Sequence, residues 1–209
     1  MFKRILVLAP HIDDGELGCG GTISRLLRDN AEVYYAAFSA AEGTCASNGM
    51  ERDILKREVL EAINELKIKK ENIRLYGYEV RKFPIFRQEI LDDLIKLKNE
   101  IKPDVIFTPS LNDIHQDHQV VSIEAVRAFK TKTILGYEMP WNNLTINTTC
   151  FFKLSLTDVE KKMRALQCYK SQSTKDYFHP NFIRSLLMTR GVQIGCEFAE
   201  VFEIIRCVV

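Results

Sequence analysis

Histidine is scarce in this chain, four residues among 209, and three of the four fall within two short segments. Charge of one sign is also missing. Twenty-nine Lys and Arg face 28 Asp and Glu, a formal net charge of +1. That balance argues against the broad electrostatic footprint of a nucleic-acid or anionic-membrane binder. No run approaches the ~20 apolar residues that a bilayer span requires. The basic-then-apolar start, Met1 to Ala9, is too short for the apolar region of a signal peptide and reads as a first strand. The six cysteines, at 19, 45, 150, 168, 196 and 207, include no Cys-x-x-Cys pair. A disulfide framework or zinc knuckle is therefore not expected. Most of these cysteines are expected to be small buried side chains in a reducing cytoplasm.

What is present is an alternation of apolar runs and helix-periodic segments in a chain long enough for one full core. Ile5–Leu8, Val33–Phe38, Ile73–Tyr76, Asp104–Thr108 and Ile134–Tyr137 read as strands. Between them, helices are expected over Leu17–Arg28, around Leu55 to Leu66, from Ile90 to Ile101 before Pro103, and over Val120–Phe129. Asn48, with Glu51 three residues on, is the expected cap of the second helix. The last third is less regular. Strands are expected at Phe151–Leu154 and Val201–Val209, and helices after a Thr157-to-Glu160 capping box and over Phe182–Met188. The βαβα rhythm predicts a single α/β domain over residues 1–209, a mostly parallel Rossmann-like sheet flanked by helices.

The first histidine segment, Pro10-His11-Ile12-Asp13-Asp14-Gly15-Glu16, follows the first predicted strand directly. The second, His115-Gln116-Asp117-His118, follows the fourth. In open α/β sheets, sites form beyond the carboxyl ends of strands, so the two segments are expected to meet at one rim. His11 and Asp14 are close enough on a tight turn to grip one ion, leaving Asp13 free; the second segment adds His118 and, one turn away, His115. Two imidazoles and a carboxylate form a common catalytic zinc set with an open position for water. Asp13 is then the candidate general base, and a cationic His115 a stabiliser of an oxyanion, with Asp117 as its orienting partner. Taken singly, Asp-Asp-Gly reads as a turn and His-x-x-His as a surface helix feature.

Other features carry less. Gly18-Cys19-Gly20-Gly21 lacks the third glycine of a dinucleotide fingerprint, Ile23 standing there, and the P-loop lysine is absent. These glycines are expected to let the first helix pack tightly. Arg74, Arg81, Lys82 and Arg87, interleaved with Tyr76, Tyr78, Phe83 and Phe86, read as a solvated loop or subunit contact. His179, before Pro180, reads as a turn residue.

Pro10 to Asp14, followed by Glu16 to Thr22, resembles the opening motif of the LmbE-like, or PIG-L, family of zinc-dependent N-deacetylases. His115-Gln116-Asp117-His118 resembles its His-x-Asp-His motif; Glu58–Leu66, Ser171-Gln172 and Phe198–Phe202 add support. The resemblance implies hydrolysis of an N-acetyl group from an N-acetylated amino sugar or sugar conjugate. It implies Zn2+ (alternatively Fe2+ or Co2+) on His11, Asp14 and His118, with Asp13 as base and acid and His115 stabilising the transition state. Leu55 stands where many members carry an arginine, which leaves Arg57 or Arg52, with Glu42, as the expected substrate contacts. The expected partner is a small N-acetylated sugar, with no nucleic acid or membrane, in the cytoplasm, and self-association left open. Hydrolysis of another bond, such as a phosphoester, and a non-catalytic sugar-binding role remain as alternatives.

Overall fold

The computed structural model describes residues 2–47 and 49–208. Seven strands form one sheet in the order β3-β2-β1-β4-β5-β7-β6. They are β1 (Arg4–His11), β2 (Glu32–Ser39), β3 (Ile73–Leu75), β4 (Val105–Pro109), β5 (Thr133–Tyr137), β6 (Cys150–Leu154) and β7 (Phe198–Arg206). The first five are parallel; β7 runs antiparallel to both β5 and β6. Strand β1 is buried on both faces, and this accounts for its uninterrupted apolar run. Ile5, Val7 and Ala9 belong to one hydrophobic core, Leu6 and Leu8 to the other.

The first core is covered by α1 (Asp14–Arg28), α3 (Ile54–Leu66), α6 (Leu156–Gln167) and α7 (Pro180–Gln193). The second is covered by α4 (Arg87–Ile101) and α5 (Gln116–Ala128), and a short α2 (Glu42–Ser47) packs against α3 with Cys45 in the first core. Chain order leaves β1 for β2 on one side and later returns to β4 on the other. The carboxyl ends of β1 and β4 are therefore the switch point of the sheet.

Helix α1 is not continuous. Cys19 has φ −145° and ψ 21°, outside the helical range. The bonds that Gly21 and Thr22 N–H would make one turn back go instead to Glu200, at 3.0 and 2.6 Å. The Leu17 carbonyl accepts from Lys162 Nζ at 2.6 Å, and Lys162 pairs with Glu200 at 2.6 Å. An inserted ion pair thus satisfies the backbone groups that the kink frees. Close packing sets the rest of the path, because a Cβ on Gly18 would overlap the Tyr137 ring.

Several expectations are revised. The capping box on α6 lies two residues earlier than Thr157 and Glu160: Ser155 Oγ accepts from Asp158 N–H at 3.3 Å, and Asp158 accepts from Ser155 N–H at 2.9 Å. Asp158 is held there by Ser24 and Arg28 of α1, partners remote in sequence. The expected Asn48 cap lies outside the described residues, and Asp53 at the start of α3 makes no side-chain cap. The last strand begins earlier, at Phe198, and Val209 lies outside the described residues. All six cysteines are free, but only Cys19 and Cys45 are buried, because the others sit near element ends. His179 caps α7, its Nδ1 accepting from Asn181 N–H at 3.2 Å. No described helix is long and apolar enough to cross a membrane.

Replacing Glu200 with Ala should strand the buried Lys162 ammonium and two helix N–H groups. We expect a loss of about 3–5 kcal/mol in unfolding free energy. Urea unfolding of the variant checks this, and an unchanged midpoint would contradict the account of the kink.

Candidate metal centre

Register alone brings the two histidine segments together. His11 is the last residue of β1, and His118 lies in the first turn of α5, after the neighbouring β4. Three donor atoms converge there. His11 Nδ1 and Asp14 Oδ2 are 3.3 Å apart, Asp14 Oδ2 and His118 Nε2 3.2 Å, and the two ring nitrogens 3.3 Å. A tetrahedral ion with bonds near 2.0–2.1 Å needs donor separations of about 3.3 Å. The triangle matches that edge on all three sides.

The groups behind the triangle fix which atoms face it. His11 Nε2 lies 2.8 Å from Asp117, and His118 Nδ1 lies 2.7 Å from Asp113. With their outer nitrogens donating to these carboxylates, both imidazoles turn their inner nitrogens toward Asp14, where a proton or a cation can sit. Asp14 is itself held by His11 N–H at 2.7 Å. The donor set therefore fits a divalent cation of the zinc type, and its demand for positive charge is visible in the titration of its members. Burial works against a charged His118, yet Asp14 and Asp113 outweigh it and push the imidazole up to about 10. Burial likewise opposes charge on His11, and Asp117 and Asp14 raise it. Asp14, although buried, is held well below the usual carboxylate range by the two histidines.

Asp13 is of a different kind. It is buried, at φ 104°, a left-handed conformation that non-glycine residues seldom adopt, and it precedes α1 without capping it. Burial and the neighbouring Asp14 raise its pKa well above the ordinary value, against the pull of Lys175. A carboxylate that binds protons so readily suits a general base.

His115 stands at the N-cap of α5, its Nδ1 accepting from Asp117 N–H at 3.2 Å. That nitrogen must be unprotonated, and burial followed by the two other histidines lowers the ring's pKa. With Nδ1 accepting, the proton of the ring sits on Nε2, the nitrogen left free to donate. One ring nitrogen of each of His11, His115 and His118 falls within 4.8 Å of the others. His115 Nδ1 is already engaged, and Asp14 Oδ2 rather than His115 closes the tighter triangle with His11 and His118.

Asp117 orients His11, and reaches His115 only through its backbone. Its carboxylate also accepts from Arg81 N–H at 2.7 Å and Phe83 N–H at 3.3 Å, tying the β3–α4 loop to the site. Asp113 was not singled out by sequence; an Asn-Asp pair in a turn carries no signal of its partner. The same is true of Lys175, Trp141 and Tyr177, which with Arg81, read from sequence as part of a solvated loop or subunit contact, line a cavity of about 550 Å³ over His11, Asp13, Asp14, His115 and His118. A larger cavity of about 680 Å³ lies beside it, sharing Ala41, Val80 and Arg81. The smaller one holds the chemistry, since it alone contains the donor triangle. Leu55 forms part of its apolar wall. Glu42 and Arg52 line the neighbouring cavity. Arg57 lies exposed on α3, paired with Glu51 and Asp53, and lines neither cavity. Glu58, on the other face of that helix, accepts from Ser171 N–H and Oγ at 2.9 and 2.6 Å and anchors the cavity's far wall.

Comparison with known proteins agrees with this architecture. The family described as PIG-L: GlcNAc-PI de-N-acetylase matches residues 6–129. A protein named uncharacterized deacetylase YaiS, from Escherichia coli (strain K12), is 33% identical over 178 residues, 81% of this chain and 91% of its own. Among solved structures, the N,N'-diacetylchitobiose deacetylase of Pyrococcus horikoshii superposes with a TM-score of 0.81 at 24% identity, covering 98% of this chain and 84% of its own. GalB, the 4-carboxy-2-hydroxymuconate hydratase of Pseudomonas putida KT2440, reaches 0.79 at 19% identity, covering 99% and 98%. The fold by itself therefore does not select one reaction.

Removing either carboxylate behind the triangle should loosen a ligand without removing it. Asp113→Ala and Asp117→Ala are each expected to weaken divalent-metal affinity, with zinc as the probe ion, about 10–100-fold. Competition with a chromophoric chelator measures this, and unchanged affinity in both variants would refute the assigned orientation of the imidazoles.

Proposed function

We infer the reaction from one premise, that this chain belongs to the PIG-L family of deacetylases: metal-dependent hydrolysis of an N-acetyl group from an N-acetylated amino sugar or its conjugate, releasing acetate. The observation that carries this reading is the donor triangle of His11, Asp14 and His118 beside an unpaired, strained and proton-avid Asp13. His11, Asp14 and His118 would hold a divalent cation, zinc by resemblance to the family, which would supply Lewis acidity, lowering the pKa of a water molecule to about 7 and polarising a carbonyl.

The remaining work falls to side chains of the chain itself. Asp13 takes the proton from the attacking water as a carbon–oxygen bond forms at the amide carbonyl. It then delivers that proton to the amine nitrogen as the carbon–nitrogen bond breaks. The neutral His115 donates Nε2–H toward the oxygen on which charge develops. Asp113 and Asp117 hold the ligand imidazoles in the tautomer that leaves their inner nitrogens free. The cavity over the site is of the size that small-molecule ligands occupy.

Asp13→Ala should bind zinc nearly as the parent does yet lose about 10²–10⁴ of its turnover. Acetate release from a panel of N-acetylated sugars, with metal content measured on the same samples, tests this. Full activity in the variant would remove Asp13 from the mechanism. Release of phosphate or hydration of an enol acid, with no acetate from any sugar, would replace the reaction.

A further inference from the structure

The cavity walls carry positive charge that the rest of the protein does not use. Eight arginines elsewhere each reach a carboxylate. Among the described residues Arg81, Arg52 and Lys175 form no ion pair, as is also true of Arg4, Arg184 and Arg206, but the first three line the two adjoining cavities. Arg81 borders both of them. Its backbone is held at φ 67°, an uncommon conformation for a non-glycine residue, by the bond from its N–H to Asp117. Lys175 lines the inner cavity from a different loop, its ammonium 5.4 Å from the centre of the Tyr177 ring. Tyr177 is in turn stacked on Trp141, with centroids 4.3 Å apart. Two carboxylates, Asp13 and Asp14, line the inner cavity. A divalent ion at the triangle would offset both; in the outer cavity Glu79 is paired with Lys82, so Glu42 is the one carboxylate there facing Arg52, Arg81 and Lys175, and the walls keep a net positive charge.

We propose that Arg81 and Lys175 are specificity-determining residues that select an N-acetylated amino sugar bearing an anionic substituent, a phosphate or a carboxylate. The acetamido end lies over the triangle, and the charged substituent extends past Arg81 into the cavity that Arg52 also lines. This rests on the N-deacetylase reading for the reacting end and adds the chemistry of the other end. A guanidinium is suited to the role because its planar fork meets either oxyanion with two hydrogen bonds.

The test uses full-length zinc-loaded protein and three probes: N-acetylglucosamine 1-phosphate, N-acetylmuramic acid and the neutral methyl N-acetylglucosaminide. Calorimetric titration should show at least one anionic sugar binding about tenfold or more tighter than the neutral one. The preference should shrink as salt rises. Which anion gains distinguishes phosphate from carboxylate recognition. Arg81→Gly removes the guanidinium while suiting the positive φ, and should cut the preference about fivefold or more. Lys175→Met should cut it less. Equal affinities, no measurable binding by either anionic sugar, or a preference that survives in both variants because the anion sits on the metal, would each overturn the proposal. Acetate release from the same sugars reports separately on the reaction, so failure of one reading is distinguishable from failure of the other.

Discussion

Three electron-pair donors held within about 3.3 Å of one another repel unless positive charge sits among them, and the site is organised around that constraint. The protein meets it by commitment on the outer side of each ring. Asp117 and Asp113 occupy the nitrogens that would otherwise rotate inward with their protons. Asp14 is fixed by the backbone of the residue it must face. Once these outer bonds are made, the inner atoms have no partner left except a proton or a cation. The raised His118 and the lowered Asp14 are two expressions of that demand.

Such a cluster needs a rigid floor. The parallel pairing of β1 with β4 sets the spacing between its two halves, and the tight seat of α1 sets the angle at which Asp13 and Asp14 leave the sheet. The kink at Cys19 lets the first turn of α1 stay at the rim while the rest follows the sheet toward α6. Its cost in backbone hydrogen bonds is offset by a buried pair contributed by α6 and β7, so the irregular C-terminal third stabilises the geometry of the N-terminal motif.

Much of this was legible in the residues. The strands are short apolar runs because parallel strands are buried on both faces, and the helices show the expected periodicity. His11, Asp14 and His118 could be grouped because each follows a strand, and strand ends share an edge. What failed to show depends on partners remote in sequence. Thr157-x-x-Glu160 matches the capping pattern better than Ser155-x-x-Asp158, but Arg28 and Ser24 make the second the one that forms. Arg57 carries the right charge on a helix near the site, yet its face of α3 is turned to solvent, toward Glu51. Asp113 and Arg81 sit in loops with no periodicity, where nothing local indicates what the side chain will meet. The region around Arg81 read as a solvated loop, although Phe83 is fully buried and anchors it beside the site.

One bond pattern bears on how such a scaffold diversifies. Asp117 grips the β3–α4 loop through main-chain amides of Arg81 and Phe83, while its other contact steadies His11. An amide is supplied by any residue other than proline, so the side chain at position 81 can change, within what its positive φ tolerates, without slackening the histidine. Selectivity and chemistry are thereby insulated from each other. Descendants of this architecture can acquire new appetites by exchanging a few loop side chains while the reacting core remains as inherited.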